Sequence, residues 1–308
     1  MGIDPEIETV NRCILCPDAE IAVDREFGRL LNLVPPYGVK CCTNCGLRWL
    51  SPRPTAKGYS VLYSYHRYFE GPDVVEQYSE VVKLRLKAYG QRIKEIEGHF
   101  YEKQSLSILD VGAATGEFVN KALRMGHRAE GLELSQGARE QAKKRYSIDL
   151  IAGELGDIQG GESYDVIHMN HVFEHLPDPS AAMEICNKLL KQNGLLVLEV
   201  PREFYNDLDR LKKLLGWKRR KEFNAYSLHH TYFYTPKTLA KLIRQCGFGI
   251  KRLRTRNPAI TPLIPFKLRN FFLRWYLWIA DKTHQGGNII EVFAVKKASA
   301  QPDFCLEG

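Results

Sequence analysis

From residue 105 onward, short apolar runs alternate with amphipathic stretches. Residues 105–111, 128–134, 150–151, 164–170 and 194–200 read as strands, and 288–295 reads as a last one. Between them lie 117–125, 136–146 and 180–191, whose apolar residues recur at helical spacing. In the first of these, Phe118, Ala122 and Leu123 are expected on one buried face. The 194–200 run is almost wholly apolar, the pattern of a parallel strand covered on both faces. Strands alternating with helices predict an α/β fold with a doubly wound parallel sheet.

The first of these strands ends in Asp110-Val111 and runs into Gly112-Ala-Ala-Thr-Gly116, which opens a helix. A glycine-rich turn between a strand and a helix lets backbone approach a ligand at the carboxyl edge of the sheet. Glu133 ends the second strand, 23 residues after Asp110. A carboxylate there accepts both ribose hydroxyls of an adenosine. A dinucleotide is the rival ligand, but the acid before the first glycine would repel a pyrophosphate and attract an ammonium.

Ahead of this core, Cys13-Ile-Leu-Cys16 and Cys42-Thr-Asn-Cys45 form two CxxC pairs separated by 25 residues. Each pair presents two thiolates from a tight turn, and two such turns make a tetrahedral site for zinc, with iron as the rival. Gly46 follows and allows the positive φ of a knuckle turn. Cys41 offers a shifted register, but Cys41-x-x-Asn44 would make the fourth ligand an amide. Four cysteines leave no open position, so the expected role of the zinc is structural.

These residues resemble the class I S-adenosylmethionine (SAM)-dependent methyltransferases. The stretch from Ile108 to Phe118 is similar to their first motif, with Ala114 in place of the usual middle glycine, and Glu133 matches their ribose-binding acid. Asn170-His-Val-Phe-Glu-His-Leu-Pro177 resembles the stretch that runs past the methionine end of SAM. His229-His-Thr-Tyr-Phe-Tyr-Thr-Pro236 and then Gly247-Phe248 resemble the late substrate-side segment. The resemblance implies a Rossmann-like methyltransferase sheet with a small N-terminal zinc module. It implies that Gly112, Ala113 and Gly116 line the methionine and ribose, with Asp110 near the SAM ammonium. Glu133 would hold the ribose, Leu134 cover the adenine and Asn170 border the cofactor. Glu154 is read either as a contact to the adenine amine or as a solvated loop acid.

One subgroup is closer: the sugar C-methyltransferases, which join a CxxC…CxxCG segment, a Tyr-x-Tyr-His stretch, the SAM core and a histidine-rich late motif. Tyr63-Ser-Tyr-His66 and His229–Tyr234 resemble the second and fourth parts, with Leu228 standing where that group has a glutamate. The further C-terminal domain of that group has no counterpart in this sequence. The resemblance implies His229 as general base, His175 as its orienting partner and Glu174 in support, with Tyr63 and Tyr65 closing the pocket. His171 is read as structural. The implied acceptor is carbon or oxygen of a small molecule, with a nucleotide- or lipid-linked sugar as the model. The alternatives are an RNA methyltransferase and a noncatalytic zinc- and SAM-binding module.

Composition adds two things. The 308 residues, 44% hydrophobic and 26% charged, exclude disordered, collagenous and coiled-coil chains. The net charge of +8 is uneven: residues 1–200 sum to −5 and residues 201–308 to +13. A basic last third suggests a phosphate-bearing partner or an anionic membrane face, with nucleic acid as the weaker reading. The basic stretches lie in segments added to the core, 203–228 and 260–285. Within the second, residues 265–281 carry a narrow polar stripe among aromatic and aliphatic residues. That helix is read as packed on the core or on a second copy, as lying in a membrane interface, or as covering a hydrophobic substrate. The remaining divisions are a zinc module at 1–60, a helical connector at 61–104, the methyltransferase domain at 105–298 and a loose tail at 299–308. With no apolar run of spanning length and an acidic start without a signal core, a cytoplasmic protein is expected, in peripheral contact with a membrane.

Overall fold

The computed structural model describes residues 6–55, 57–59, 73–202, 226–257, 275, 278–279, 282–283 and 287–297. Its centre is a seven-stranded sheet made by β6 (Ser107–Val111), β7 (Arg128–Glu133), β8 (Ile151–Ala152), β9 (Tyr164–Asn170), β10 (Leu190–Pro201), β12 (Phe248–Arg256) and β13 (Ile289–Lys296). The spatial order is β12-β13-β10-β9-β6-β7-β8. Strands β6 to β10 pair in parallel, and β13 pairs antiparallel with both β10 and β12. Order reverses between β6 and β9, which places a ligand crevice at the carboxyl ends of those strands.

Alternation along the strands builds two apolar layers. Ile108, Val166, Leu195, Val197 and Phe293 pack against Ile93 and Ile96 of α2 (Asp73–Glu97) and Phe118 and Ala122 of α3 (Glu117–Arg124). Leu109, Ile167, Leu196 and Leu198 pack on the other face against α5 (Pro179–Leu189) and α7 (Pro236–Gln245). Leu123, expected on the buried face of α3, is 41% exposed. It sits one residue past Ala122, and the helix turns it outward.

Two other expectations are corrected by local geometry. The helix read at 180–191 ends at Leu189, because Leu190 is already extended. Strand β10 accordingly begins at Leu190, which pairs with Tyr164. A bulge follows, and the ladder resumes at Leu195 opposite Val166. Helix α4 (Gln136–Tyr146) matches the expected span, capped by the Ser135 side chain accepting from the Ala138 N–H.

The N-terminal segment contributes α1 (Arg25–Leu30), β1 (Ile7–Glu8) and β5 (Arg53–Pro54), and also β2 (Ile21–Val23), β3 (Val39–Cys42) and β4 (Arg48–Leu50). The last three join β11 (Tyr232–Phe233) in a four-stranded antiparallel sheet ordered β11-β4-β3-β2. The late segment is therefore a strand of the cysteine-bearing sheet. Cys13, Leu15, Cys16, Leu47 and Trp49 also share one apolar cluster with α5 and α7. Among the described residues, no helix is long and apolar enough to cross a membrane. The segment 203–225, most of 258–286 and the tail 298–308 lie outside the described residues, as do Tyr63, Tyr65 and His66.

Candidate functional site at the carboxyl edge of the sheet

The chain leaves β6 through a turn with positive φ at Gly112 (68°), Ala114 (48°) and Gly116 (80°). The N–H groups of Gly112 and Ala113 both donate to the Leu132 carbonyl, at 2.8 and 3.0 Å, which folds the turn onto β7. A Cβ at Gly112 would stand 2.3 Å from Cγ2 of Val172, so only glycine lets the segment after β9 lie on this turn. Gly116 is then the N-cap of α3, so the helix begins directly from this turn.

Glu133, at the end of β7, accepts from the Ala114 N–H at 2.9 Å and the Ser135 N–H at 2.8 Å. Each oxygen is thereby held in place and keeps a second lone pair for a ligand hydroxyl. Burial outweighs these bonds and leaves its carboxyl above the ordinary range. Leu134 beside it is 52% exposed, an apolar surface at the mouth of the crevice. Glu154 is exposed, and its backbone N–H donates to Asp157 at 2.7 Å.

Asp110 is buried, and its Oδ1 lies 2.7 Å from Nδ1 of His168. His168 Nε2 meets the Arg92 guanidinium at 3.1 Å, and its ring stacks on Phe118 with centroids 3.8 Å apart. Arg92 pairs in turn with Glu199 and Glu291. Those two acids face each other across the β10–β13 ladder, and the guanidinium between them offsets their repulsion. Both carboxyls are held below the ordinary range against the effect of burial, chiefly by the Arg92 charge. Asn170 closes this polar layer, donating from Nδ2 to the Tyr89 hydroxyl at 3.3 Å. The sequence reading missed Arg92, Tyr89 and His168. The one signal was a histidine among the apolar residues Val166, Ile167 and Met169.

After Asn170 the backbone turns at His171, where φ is 57°, and enters a 3-10 turn over Phe173–His175. His171 lies 3.4 Å from Glu174 and 3.5 Å from Glu199. Partial withdrawal from water disfavours its charge, but the two carboxylates prevail and raise its pKa to about 10. Glu174 is 1% exposed. His175 donates from Nδ1 to the His229 carbonyl at 2.9 Å, leaving Nε2 directed at Glu174, 3.7 Å away. His229 ends α6 (Tyr226–His229) and is buried; its ring centroid is 6.4 Å from that of His175. The structure brings His230 closer, at 4.9 Å.

Thr231 fastens this arrangement. Its N–H donates to the Glu174 carbonyl at 2.8 Å and its hydroxyl to the His175 carbonyl at 3.1 Å. Its carbonyl accepts from the Leu50 N–H at 3.0 Å, and the Tyr59 hydroxyl lies 2.9 Å from its Oγ1. The histidine-rich segment is thus held between the 3-10 turn and the cysteine-bearing sheet. Leu228 packs in an apolar cluster with Leu50 and Tyr59. An acid in its place would be buried among hydrocarbon.

Cys13, Cys16, Cys42 and Cys45 converge, with sulfurs within 4.8 Å of one another, and the Cys13 and Cys45 sulfurs 3.7 Å apart. A tetrahedral zinc with bonds of about 2.3 Å needs neighbouring sulfurs about 3.8 Å apart, so the four thiols fit the ion. Burial opposes ionisation of Cys42, but N–H groups of Cys45 and Asn44 donate to its sulfur and hold its pKa at about 7. Cys41 is not in the cluster and points its thiol at the Cys42 carbonyl. Lys241 of α7 reaches the Cys16 sulfur at 3.0 Å.

The sequence profile of a family described as a methyltransferase domain matches residues 81–252. The ubiquinone biosynthesis O-methyltransferase of Leptothrix cholodnii is 23% identical over 210 residues, covering 64% of this chain and 83% of that protein. Among solved structures, the 1,6-didemethyltoxoflavin-N1-methyltransferase of Burkholderia thailandensis, with its substrate and S-adenosylhomocysteine bound, is similar at a TM-score of 0.51. It is 14% identical, and the match covers 86% of this chain and 98% of that one. A SAM-dependent methyltransferase of Thermotoga maritima is similar at a TM-score of 0.50 and 18% identity, covering 76% of this chain and 99% of that one.

Proposed function

This chain belongs to the methyltransferase-domain family and is a SAM-dependent methyltransferase, and from that premise we propose that it methylates oxygen or carbon of a small molecule, with a structural zinc supporting the acceptor side. The observation that carries this reading is the contact between the glycine turn and the 171–175 segment. Val172 lies on Gly112, so the acid and imidazole cluster borders the cofactor turn. The L. cholodnii relative, named as an O-methyltransferase, supports oxygen as an acceptor atom.

When bound, SAM supplies a methyl carbon on a sulfonium, open to in-line displacement. Gly112, Ala113 and Gly116 form the backbone cradle, and Asn170 borders it. Asp110 offers negative charge toward the ammonium end while His168 orients its carboxylate. Glu133 accepts from the ribose hydroxyls, Leu134 covers the adenine and Glu154 reaches its amine. On the acceptor side, His229 removes a proton from the attacking group. His175 holds the His229 backbone through its Nδ1–H, and Glu174 steadies the imidazoles around it. A nucleotide- or lipid-linked sugar fits an acceptor whose hydroxyl or acidic carbon needs such a base.

Incubation with methyl-labelled SAM and fractionated cell extract tests the acceptor class. Label is expected in the small-molecule or lipid fraction; label confined to RNA would replace this reading with RNA methylation. The cofactor assignment has its own test. Glu133→Ala is expected to weaken SAM binding roughly 10–100-fold, the loss of about 1.5–3 kcal/mol from hydrogen bonds to a charged group. Calorimetry finding wild-type affinity would remove Glu133 from the ribose site.

Peripheral membrane contact is part of the same proposal. Trp275 and Trp278 are helical and 57% and 58% exposed. Vesicles containing anionic lipid are expected to bind the protein and shift its tryptophan fluorescence, with salt weakening the effect. Equal behaviour with neutral and anionic vesicles would return this helix to a packing role.

A further inference from the structure

His230 has no part in the base arrangement, yet its ring nitrogen, a Glu174 oxygen and a His175 nitrogen lie within 4.8 Å of one another. Three features make this more than a cluster of polar groups. First, Glu174 is 1% exposed, and its one charged neighbour among the described residues is the partly exposed His171 imidazole at 3.4 Å, a long contact to a single oxygen. A carboxylate so deeply buried gains from a further cation beside its other lone pairs. Second, His175 gives its Nδ1–H to the His229 carbonyl. That bond fixes the tautomer and leaves the Nε2 lone pair facing Glu174, the arrangement a metal-ligating histidine adopts with its outer partner. Third, the donors stand close enough for a small shift to bring them onto one ion. Atoms about 2.1 Å from one metal and 90–120° apart lie roughly 3.0–3.6 Å from each other. His175 Nε2 and Glu174 Oε1 are 3.7 Å apart.

We propose that Glu174, His175 and His230 bind one divalent first-row transition ion, separate from the cysteine-bound zinc. Two imidazoles and one carboxylate select manganese, iron, cobalt or zinc over calcium or magnesium. Three protein ligands leave open positions, as catalytic metal sites do and the four-cysteine site does not. The ligands come from two segments that Thr231 ties together, so the site is assembled before any ion arrives. If the acceptor is a hydroxyl, an ion here would bind its oxygen and lower the cost of deprotonation beside His229. That role rests on the acceptor reading above, whereas the site itself does not.

The test uses the full chain carrying one equivalent of zinc, which the four thiolates take first, titrated with Mn(II) and followed by electron paramagnetic resonance of the free ion. Manganese stands lowest among these metals in affinity and leaves zinc in its thiolate site. About one Mn(II) is expected to bind per chain. His230→Ala and Glu174→Gln are each expected to weaken binding by at least roughly 10–100-fold, the loss that removing even an outer partner of a metal site causes. His230 is only half buried, so its variant is expected to keep the wild-type fold by circular dichroism and its SAM affinity. No bound Mn(II) in the wild type would overturn the proposal and leave the His171 imidazolium as the cation facing Glu174. Equal binding by wild type and both variants would overturn it too. No methyl acceptor is needed, so a missing ion and a wrong acceptor class give separate results.

Discussion

Replacing Cys42 by serine is expected to remove the zinc and most of the methyl transfer together. The metal half of this result follows from the four-thiolate cluster, in which Cys42 is buried and receives N–H groups from its own knuckle. Metal binding by such a site is of the order of 10–16 kcal/mol in isolated zinc-finger peptides, and much of that is folding free energy. The catalytic half follows from topology. Cys42 ends β3, and its N–H donates to the Leu47 carbonyl at 2.9 Å, closing the knuckle that leads into β4. Strand β4 pairs with β11, Trp49 opposite Tyr232. The residue after Trp49 donates to Thr231, and Thr231 donates to Glu174. Loosening the knuckle therefore loosens the segment that carries His229 and His230. Cys41→Ser, outside the cluster, is expected to keep both metal and activity. Metal analysis should return one zinc fewer per chain for Cys42→Ser than for wild type and Cys41→Ser. A zinc-free Cys42→Ser protein with full turnover would cut the link between the knuckle and the acceptor side.

That link also marks where sequence stops being informative. The cysteine pairs, the glycine turn and Glu133 were legible because each signal is local: a CxxC spacing, a turn between strand and helix, an acid at a strand end. The span of α4 and the central strands were legible from periodicity for the same reason. What joins these parts was not. Thr231 is 172 residues from Tyr59, and Arg92 is 107 from Glu199; no local pattern announces either contact. Nor can sequence say which of two adjacent histidines meets His175. The end of α6 at His229 and the start of β11 at Tyr232 set that choice, bringing the His230 ring nearest and the His229 carbonyl into a hydrogen bond. The first 60 residues read as a module of their own because their cysteine spacing is self-contained. Their sheet gains its edge strand from the other end of the chain.

Methyl transfer is expected to fall by roughly 10²–10⁴-fold in His229→Ala if the acceptor must lose a proton, the usual contribution of a general base. SAM affinity is expected to stay near wild type, because the cofactor cradle is built from β6, β7 and their turns and not from the late segment. Burial sets His229 apart from His171, whose side chain is 42% exposed and committed to two carboxylates. His175 acts differently. Its hydrogen bond to the His229 carbonyl makes it a positioning residue, so His175→Ala is expected to lower turnover by displacing the late segment. The pH–rate profile separates the two roles. The wild type should show the ionisation limb of its general base. That limb is expected to vanish in His229→Ala and to persist, at reduced rate, in His175→Ala. Should both variants turn over the identified substrate at the wild-type rate, alignment alone would drive transfer. The acceptor would then be an atom already nucleophilic at neutral pH, such as a free amine or a thiolate.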